Sequence, residues 1–378
     1  AKHIAMVMPF PSTLVALLSI LGVASSACSK KEPAPGSERG RAAEALSAMP
    51  AHGEPVALNG AGATFPFPLY SKWMSDYNQL RPNIKINYQS IGSGGGIRQI
   101  TAGTVDFGAT DAPMTEEEQK KAPRKILHIP TTLGSVVVTY NLEGVSVPLR
   151  LTPDALAGIY LGTTKKWNAP EIAKENRDVK LPATDIAVVY RSDGSGTTAV
   201  FTDYLNKVSS QFKEKVGQGK SVKWPTGLGA KGNEGVTGQV KTTPNSIGYV
   251  ELVYAVQNQL PTAALRNAAG QFIAPGIAAT TAAAAGVTLP SELYASITNA
   301  AGQDAYPISA YTYLLVFEDL VDKKKGTALS EFLWWAIHDG QKACEPLGYS
   351  PLPVKVVSQV EARLKELRIG DQKALSAL

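Results

Sequence analysis

The sequence predicts an α/β fold built on largely parallel sheets, on three observations. From about Val56 onward, short apolar, β-rich runs alternate with helical patterns. The chain has 378 residues, 44% of them hydrophobic and only 7% aromatic, which allows a sizeable core and favours two domains over one. Glycine-rich turns stand repeatedly where a strand gives way to a helix, and ligands in such sheets bind at the carboxyl ends of strands.

The elements follow in order. KINYQSI (85–91) precedes the helical pattern IRQITAGT (97–104), and KILHIPTTLGSVVVTYN (125–141) precedes TPDALAGIYLG (152–162). IAVVYR (186–191) leads to TTAVFTDYLNKVSS (197–210), SIGYVELVYAV (246–256) follows, and ISAYTYLLVF (308–317) is succeeded by TALSEFLWWAI (327–337). Two segments break the rhythm. KWPTGLGAKGNEGVTG (223–238) has enough glycine for a long surface loop, and IAATTAAAAGVTLP (277–290) is most simply a helix or helix edge. Neither shows a repeat.

The first residues have a different character. Lys2 and His3, then LVALLSILGV (14–23), then ASSAC ending at Cys28, describe an export signal rather than a transmembrane helix, since the apolar segment is too short to span comfortably. Cys28 sits where a lipoprotein signal places its lipid-modified cysteine, although Ser25 is an unusual residue for such a lipobox; the alternative is an ordinary cleavage site. The segment that follows is rich in Pro, Ala, Gly and charge, which suits a flexible tether over 28–54. With Cys28 lipidated, Cys344 is left as a free, buried thiol, and no disulfide framework is expected. The formal charge of +5 comes from well-mixed signs, so nucleic-acid binding has little support.

Three glycine-rich loops open helices. NGAGATFPFP (59–68) places Thr64 and the Phe65 amide near a helix start, with Pro66 and Pro68 tolerated in a first turn. SIGSGGG (90–96) brings Ser93, and RSDGSGTT (191–198) joins a strand to a helix. A helix start offers free N–H groups, and glycine lets the backbone close on a small anion. Each loop alone reads as an ordinary cap; three together point to anion binding. GSGTTA (194–199) fits the loose dinucleotide pattern, but Glu214 lies in a polar segment instead of at a strand end. There is no P-loop spacing and no G-x-S-x-G elbow, and His3, His52, His128 and His338 lie outside the loops, which argues against nucleotide hydrolysis, a serine hydrolase and a histidine metal site.

GAGATFP, IGSGGG, TVDFGATDAP, YLGTTKKWN, RSDGSGTT, KWPTGLGAKGN and IGYVE, in that order from about Leu58 to Pro353, resemble the phosphate-binding component of bacterial Pst ABC transporters. The resemblance implies a type II periplasmic-binding-protein fold: two α/β domains with a central cleft, joined by two hinge strands. It places domain I at 55–132 with 306–378, and domain II at 133–305. It implies phosphate ligands at Thr64, Phe65, Ser93, Asp111, Arg191, Asp193, Ser195, Gly196 and Thr197, with no catalytic residue, metal or cofactor. It further implies a monomeric, non-enzymatic lipoprotein on the outer face of the membrane or in the periplasm, delivering inorganic phosphate to permease subunits.

Asp111 then has a role that an anion site otherwise lacks. A carboxylate accepts a hydrogen bond from an oxyanion that still carries a proton, as phosphate does near neutral pH and sulfate does not. The alternative is a cap for a helix starting near Pro113. Arg191 is suited to two phosphate oxygens with Asp193 holding its fork, against the alternatives of a surface ion pair and a helix cap. Asp106, at the strand end, reads as structural.

Overall fold

A computed structural model describes residues 53–145 and 147–375. The export signal, Cys28 and nearly all of the tether lie outside the described residues. Among the described residues an eight-stranded sheet forms the frame: β1 (Val56–Gly62), β2 (Ile84–Ser90), β3 (Phe107–Thr110), β4 (Ile126–Asn141), β5 (Ala187–Arg191), β6 (Leu228–Ala230), β7 (Ser246–Glu251) and β8 (Ser309–Phe317), in the order β2-β1-β3-β8-β4-β7-β5-β6. The helices that matter most for the site are α1 (Phe67–Leu80), α2 (Ser93–Thr101), α3 (Glu116–Lys121), α4 (Pro153–Leu161), α5 (Gly196–Val208), α6 (Gly232–Thr242), α7 (Ile277–Ala285) and α8 (Lys323–Ile337).

The outer strands pair in parallel, as expected: β1 with β2 and β3, and β5 with β6 and β7. The centre does not. β4 and β8 run antiparallel to each other, β8 antiparallel to β3, and β4 antiparallel to β7. The physical reason is that the chain crosses between the two halves of the sheet along adjacent strands in opposite directions. β4 pairs with β8 over residues 126–135, then with β7 over residues 136–141, so one continuous strand belongs to both halves. Its 16 residues are buried apart from half-buried Asn141, which explains why the segment reads as unbroken apolar and threonine-rich sequence. Pro130 cannot donate to a ladder, and the register with β8 shifts at that point, between Thr312 and Tyr313.

Helices flank the two halves and leave two lobes with strand ends facing each other. In the first lobe α1 buries Leu69, Tyr70, Trp73 and Tyr77 on one face, and Tyr77 packs on Phe332 and Trp335 of α8 at 5.2 and 5.3 Å between ring centroids. In the second lobe Tyr160, Phe201, Trp224 and Tyr249 form an aromatic cluster, with Phe201 stacked on Tyr249 at 4.3 Å. The alanine-rich segment is indeed a helix, α7. The glycine-rich segment 223–238 departs from the expected surface loop: it supplies β6 and the first two turns of α6, and Asn233 within it is fully buried. Glycine here permits close strand and helix packing, with Gly232 at φ +74° turning the chain into α6. Cys344 is free and buried, and burial pushes its thiol up to about 12.

Candidate anion-binding site

Each candidate residue stands at or just beyond the carboxyl end of a strand. Thr64 and Phe65 follow β1, Ser93 follows β2 and opens α2, and Asp111 follows β3. From the other lobe Arg191 ends β5, and Asp193 to Thr197 form the turn into α5. Two lobes with facing strand ends therefore bring all nine residues to one cleft, where open α/β sheets bind ligands.

The local geometry of each loop follows from its sequence. β1 runs to Gly62, and α1 starts with Pro68 in its first turn. The carbonyl oxygens of Ala63, Thr64 and Phe65, which would repel an anion, accept hydrogen bonds from the hydroxyls of Tyr88, Tyr254 and Tyr349 respectively. Gly92 adopts φ +88° before α2, a conformation that favours glycine, and a Cβ there would collide with Asp193 and the Gly194 carbonyl. Ser195 caps α5 by accepting from Thr198 N at 2.9 Å, which removes Asp193 from that duty. The Arg191 backbone N–H donates to Tyr249 Oη at 3.1 Å, and Tyr249 Oη also bonds Thr198 Oγ1 at 2.7 Å, so the aromatic cluster behind the loop fixes its position.

The lobes touch at the site itself. Gly94 N donates to Gly194 O across the cleft at 2.9 Å. Gly196 packs so closely on Ser93 Oγ and Asp111 that any side chain there would overlap both. Asn233 donates from Nδ2 to Thr64 Oγ1 at 2.7 Å and to Thr197 Oγ1 at 3.1 Å, joining hydroxyls of opposite lobes. Further out, Lys220 pairs with Glu118 at 3.0 Å across the same boundary. Asp111 also lines a cavity of about 340 Å³ whose walls include Pro113, Lys220, Tyr294, Thr298 and Tyr311.

Arg191 is the cation of the site. Its side chain is 1% exposed, and its Nε and Nη2 each donate to Asp193 at 2.7 Å, the side-on arrangement that holds a guanidinium rigid. Nη1 is buried without a protein partner, so the edge carrying Nη1 and the second Nη2 proton is the one left for an anion. Burial alone would lower the Arg191 pKa, but the Asp193 hydrogen bonds and charge outweigh it and raise the value. Asp193 is held below the usual carboxylate range: burial opposes this, while Arg191 and the Gly232 N–H, at 3.1 Å, prevail.

Asp111 is 3% exposed and does not cap a helix; Thr115 does that for α3, in a capping box with Glu118. Instead its Oδ1 accepts from Thr312 Oγ1 at 2.8 Å, its Oδ2 faces Ser93 Oγ at 3.4 Å, and its own N–H donates to Ser93 Oγ at 3.1 Å. Burial pushes its pKa up to about 7, against the opposing pull of Thr312, Arg191 and Ser93. A carboxyl poised near neutrality can hold or release the proton that it shares with an oxyanion. Asp106, by contrast, accepts from Asn59 N at 2.7 Å and pairs with Lys325 at 3.0 Å, a structural use outside the cleft.

The sequence matches the family model of the PBP superfamily domain over residues 49–339. It is 46% identical to the phosphate-binding protein PstS of Pasteurella multocida over 322 residues, 84% of this chain and 93% of that one. The chain belongs to the PstS family. The PstS of Xylella fastidiosa is also 46% identical, over 310 residues covering 81% of this chain and 84% of the relative. A crystal structure of a phosphate-binding protein from Stenotrophomonas maltophilia overlays with a TM-score of 0.62, covering 81% of this chain and 93% of that one at 19% identity; this likeness bears on the fold alone.

Within this PstS-family fold, sequence reading missed several residues that build the site. Asn233 was hidden in a segment that reads as a glycine-rich loop, and the one local signal beside it is Gly232, whose φ of +74° turns the chain into the helix that carries Asn233. Thr312 lies inside an apolar strand, where a threonine gives no functional signal. Glu251 is fully buried at the end of β7, and burial raises its pKa well above the ordinary value; its Oε2 accepts from Val253 N at 2.7 Å. It follows IGYV, an apolar run that advertises a strand and not a carboxyl near the cleft.

Proposed function

We propose that this chain is a substrate-binding protein that captures inorganic phosphate between its two lobes and hands it to an ABC-transporter permease outside the cytoplasmic membrane. The observation that carries the reading is the composition of one enclosed site: a buried, rigid guanidinium edge, hydroxyls from both lobes, and the Asp111 carboxyl. A phosphate removed from water needs nearly every oxygen satisfied, since unpaired buried charge costs several kcal/mol. Thr64, Ser93, Ser195 and Thr197 supply hydroxyls, Phe65 and Gly196 supply amides, Arg191 supplies charge, and Asp193 orients Arg191.

Asp111 supplies discrimination. Near neutral pH phosphate brings one or two protons and sulfate brings none, so an ionised Asp111 finds a proton only on phosphate. The lobes over 55–132 with 306–378, and over 133–305, act as the closing units, hinged on β4 and β8. The export signal sends the monomeric protein to the periplasm or, with Cys28 lipidated, to the outer face of the cell membrane, where the tether gives reach to a permease. The family resemblance and the site composition support binding without turnover.

Titration calorimetry on the full chain with phosphate and with sulfate at pH 8 tests this reading. Tight phosphate binding with sulfate weaker by about 1,000-fold or more is expected. Equal binding of the two anions, or release of phosphate from a monoester by the purified protein, contradicts it.

A further inference from the structure

We infer that Asn233 is a positioning residue that locks the Thr64 hydroxyl as a hydrogen-bond donor, biases the Thr197 hydroxyl the same way and so sets the polarity of the site; this rests on the phosphate-binding reading above. Asn233 is fully buried at the start of α6, in the lobe that carries Arg191. The orientation of its amide is fixed by its surroundings. The Glu251 backbone N–H points at Oδ1 at 2.9 Å, and a backbone N–H can only donate, so that atom is the carbonyl oxygen and the other is the NH₂. Nδ2 therefore donates, to Thr64 Oγ1 and to Thr197 Oγ1.

The consequence follows from counting lone pairs. A hydroxyl oxygen has two acceptor positions and one proton. Both acceptor positions of Thr64 are taken by Asn233, one by Nδ2 and one by its backbone N at 3.1 Å. Thr64 can then offer an incoming ligand only its proton. Thr197 has one acceptor position occupied in the same way. Two hydroxyls, one from each lobe, are thus biased toward ligand oxygens that carry no proton. Asp111, on the same side of the cleft as Thr64, is the partner for an oxygen that does carry one. Asn233 and Asp111 together divide the oxygens of a tetrahedral oxyanion into bare and protonated positions. A free threonine hydroxyl would accept or donate and would make no such division.

The test reverses the polarity of one atom. Asn233→Asp keeps the volume and the contact with the Glu251 N–H, but its second oxygen accepts from the hydroxyls and turns their protons away from the ligand. Phosphate affinity of the full chain is measured by calorimetry for wild type, Asn233→Asp, Thr64→Val and the double variant, with folding checked by circular dichroism and thermal melting. We expect Asn233→Asp to weaken phosphate by about 100-fold in the wild-type background, and by at least about fivefold less than that when Thr64→Val has removed the hydroxyl. The same penalty in both backgrounds would mean that added charge or packing, and not hydroxyl polarity, is responsible, and would overturn the inference. Should Thr64→Val not fold or bind, Thr197→Val takes its place in the same cycle with the same two outcomes. Failure of the wild type to bind phosphate removes the reading of the site itself and is visible before any variant is compared.

Discussion

The two lobes meet an anion with different equipment. The lobe of β1, β2 and β3 brings Thr64, Phe65, Ser93 and Asp111: hydroxyls, an amide and a carboxyl. The lobe of β5, β6 and β7 brings Arg191, locked by Asp193, with the amide-rich start of α5 and Asn233 behind it. On the proposed reading, one face supplies charge and the other interrogates protonation. A site made of two copies of the second face would attract any dianion; a site made of two copies of the first would hold none. On that reading selectivity belongs to the pairing, and it operates when the lobes close.

The largest effect expected from breaking this contrast is on Arg191. Arg191→Ala removes the charge and leaves Asp193 buried without its partner, so phosphate affinity is expected to fall by about 1,000-fold, on the order of 4 kcal/mol, for sulfate and phosphate alike. Calorimetry showing a loss below tenfold would mean that charge is not concentrated on that lobe. Asp111→Asn is expected to do something different in kind: phosphate weakens about tenfold, while the ratio of phosphate to sulfate affinity falls about 100-fold.

The pKa of Asp111 sharpens the contrast further. Its folded value of about 7 lies above the unfolded carboxylate value of about 3.9, so the folded state without ligand holds a proton that the unfolded chain releases. The contribution is favourable below pH 4 and is lost as the pH rises through 7. In ligand-free protein, Asp111→Asn is therefore expected to be more stable than wild type at pH 8, by on the order of 4 kcal/mol, with the difference vanishing toward pH 4. Denaturant titration at both pH values measures it, and a constant difference would contradict the assigned burial of an ionisable group. The smallest effect concerns closure. Lys220 and Glu118 pair across the lobes but are partly exposed, so Lys220→Ala is expected to weaken phosphate only about threefold, with selectivity unchanged.

Much of this arrangement was legible before the structure, and unevenly so. The alternation of strands and helices and the three loops at strand ends could be read from local pattern, because glycine, caps and apolar periodicity are local signals, whereas the separation of structural Asp106 from Asp111 rested on the family resemblance. The antiparallel centre could not, since nothing in KILHIPTTLGSVVVTYN tells a strand that its partner arrives some 180 residues later from the opposite direction. Asn233, Thr312 and the three tyrosines that occupy the loop carbonyls were invisible for the same reason. Their roles are made by tertiary contact, in stretches whose local pattern says loop, strand or core. The site residues that touch the cleft are thus announced by loops, whereas the residues that orient them are announced by nothing nearby.

The proposed discrimination between phosphate and sulfate depends most directly on Asp111 reading a proton. The measurement that tests it is the ratio of phosphate to sulfate affinity across pH 5.5 to 8.5 (roughly one and a half units either side of the Asp111 value), for wild type and for Asp111→Asn. In wild type the ratio should be greatest above pH about 7, where Asp111 is ionised and sulfate has no proton to offer, and should fall as the pH drops and a neutral Asp111 can donate to sulfate. In Asp111→Asn the ratio should be small and should vary little with pH. A wild-type ratio that stays flat through pH 7, or a variant that keeps the wild-type ratio, contradicts the claim.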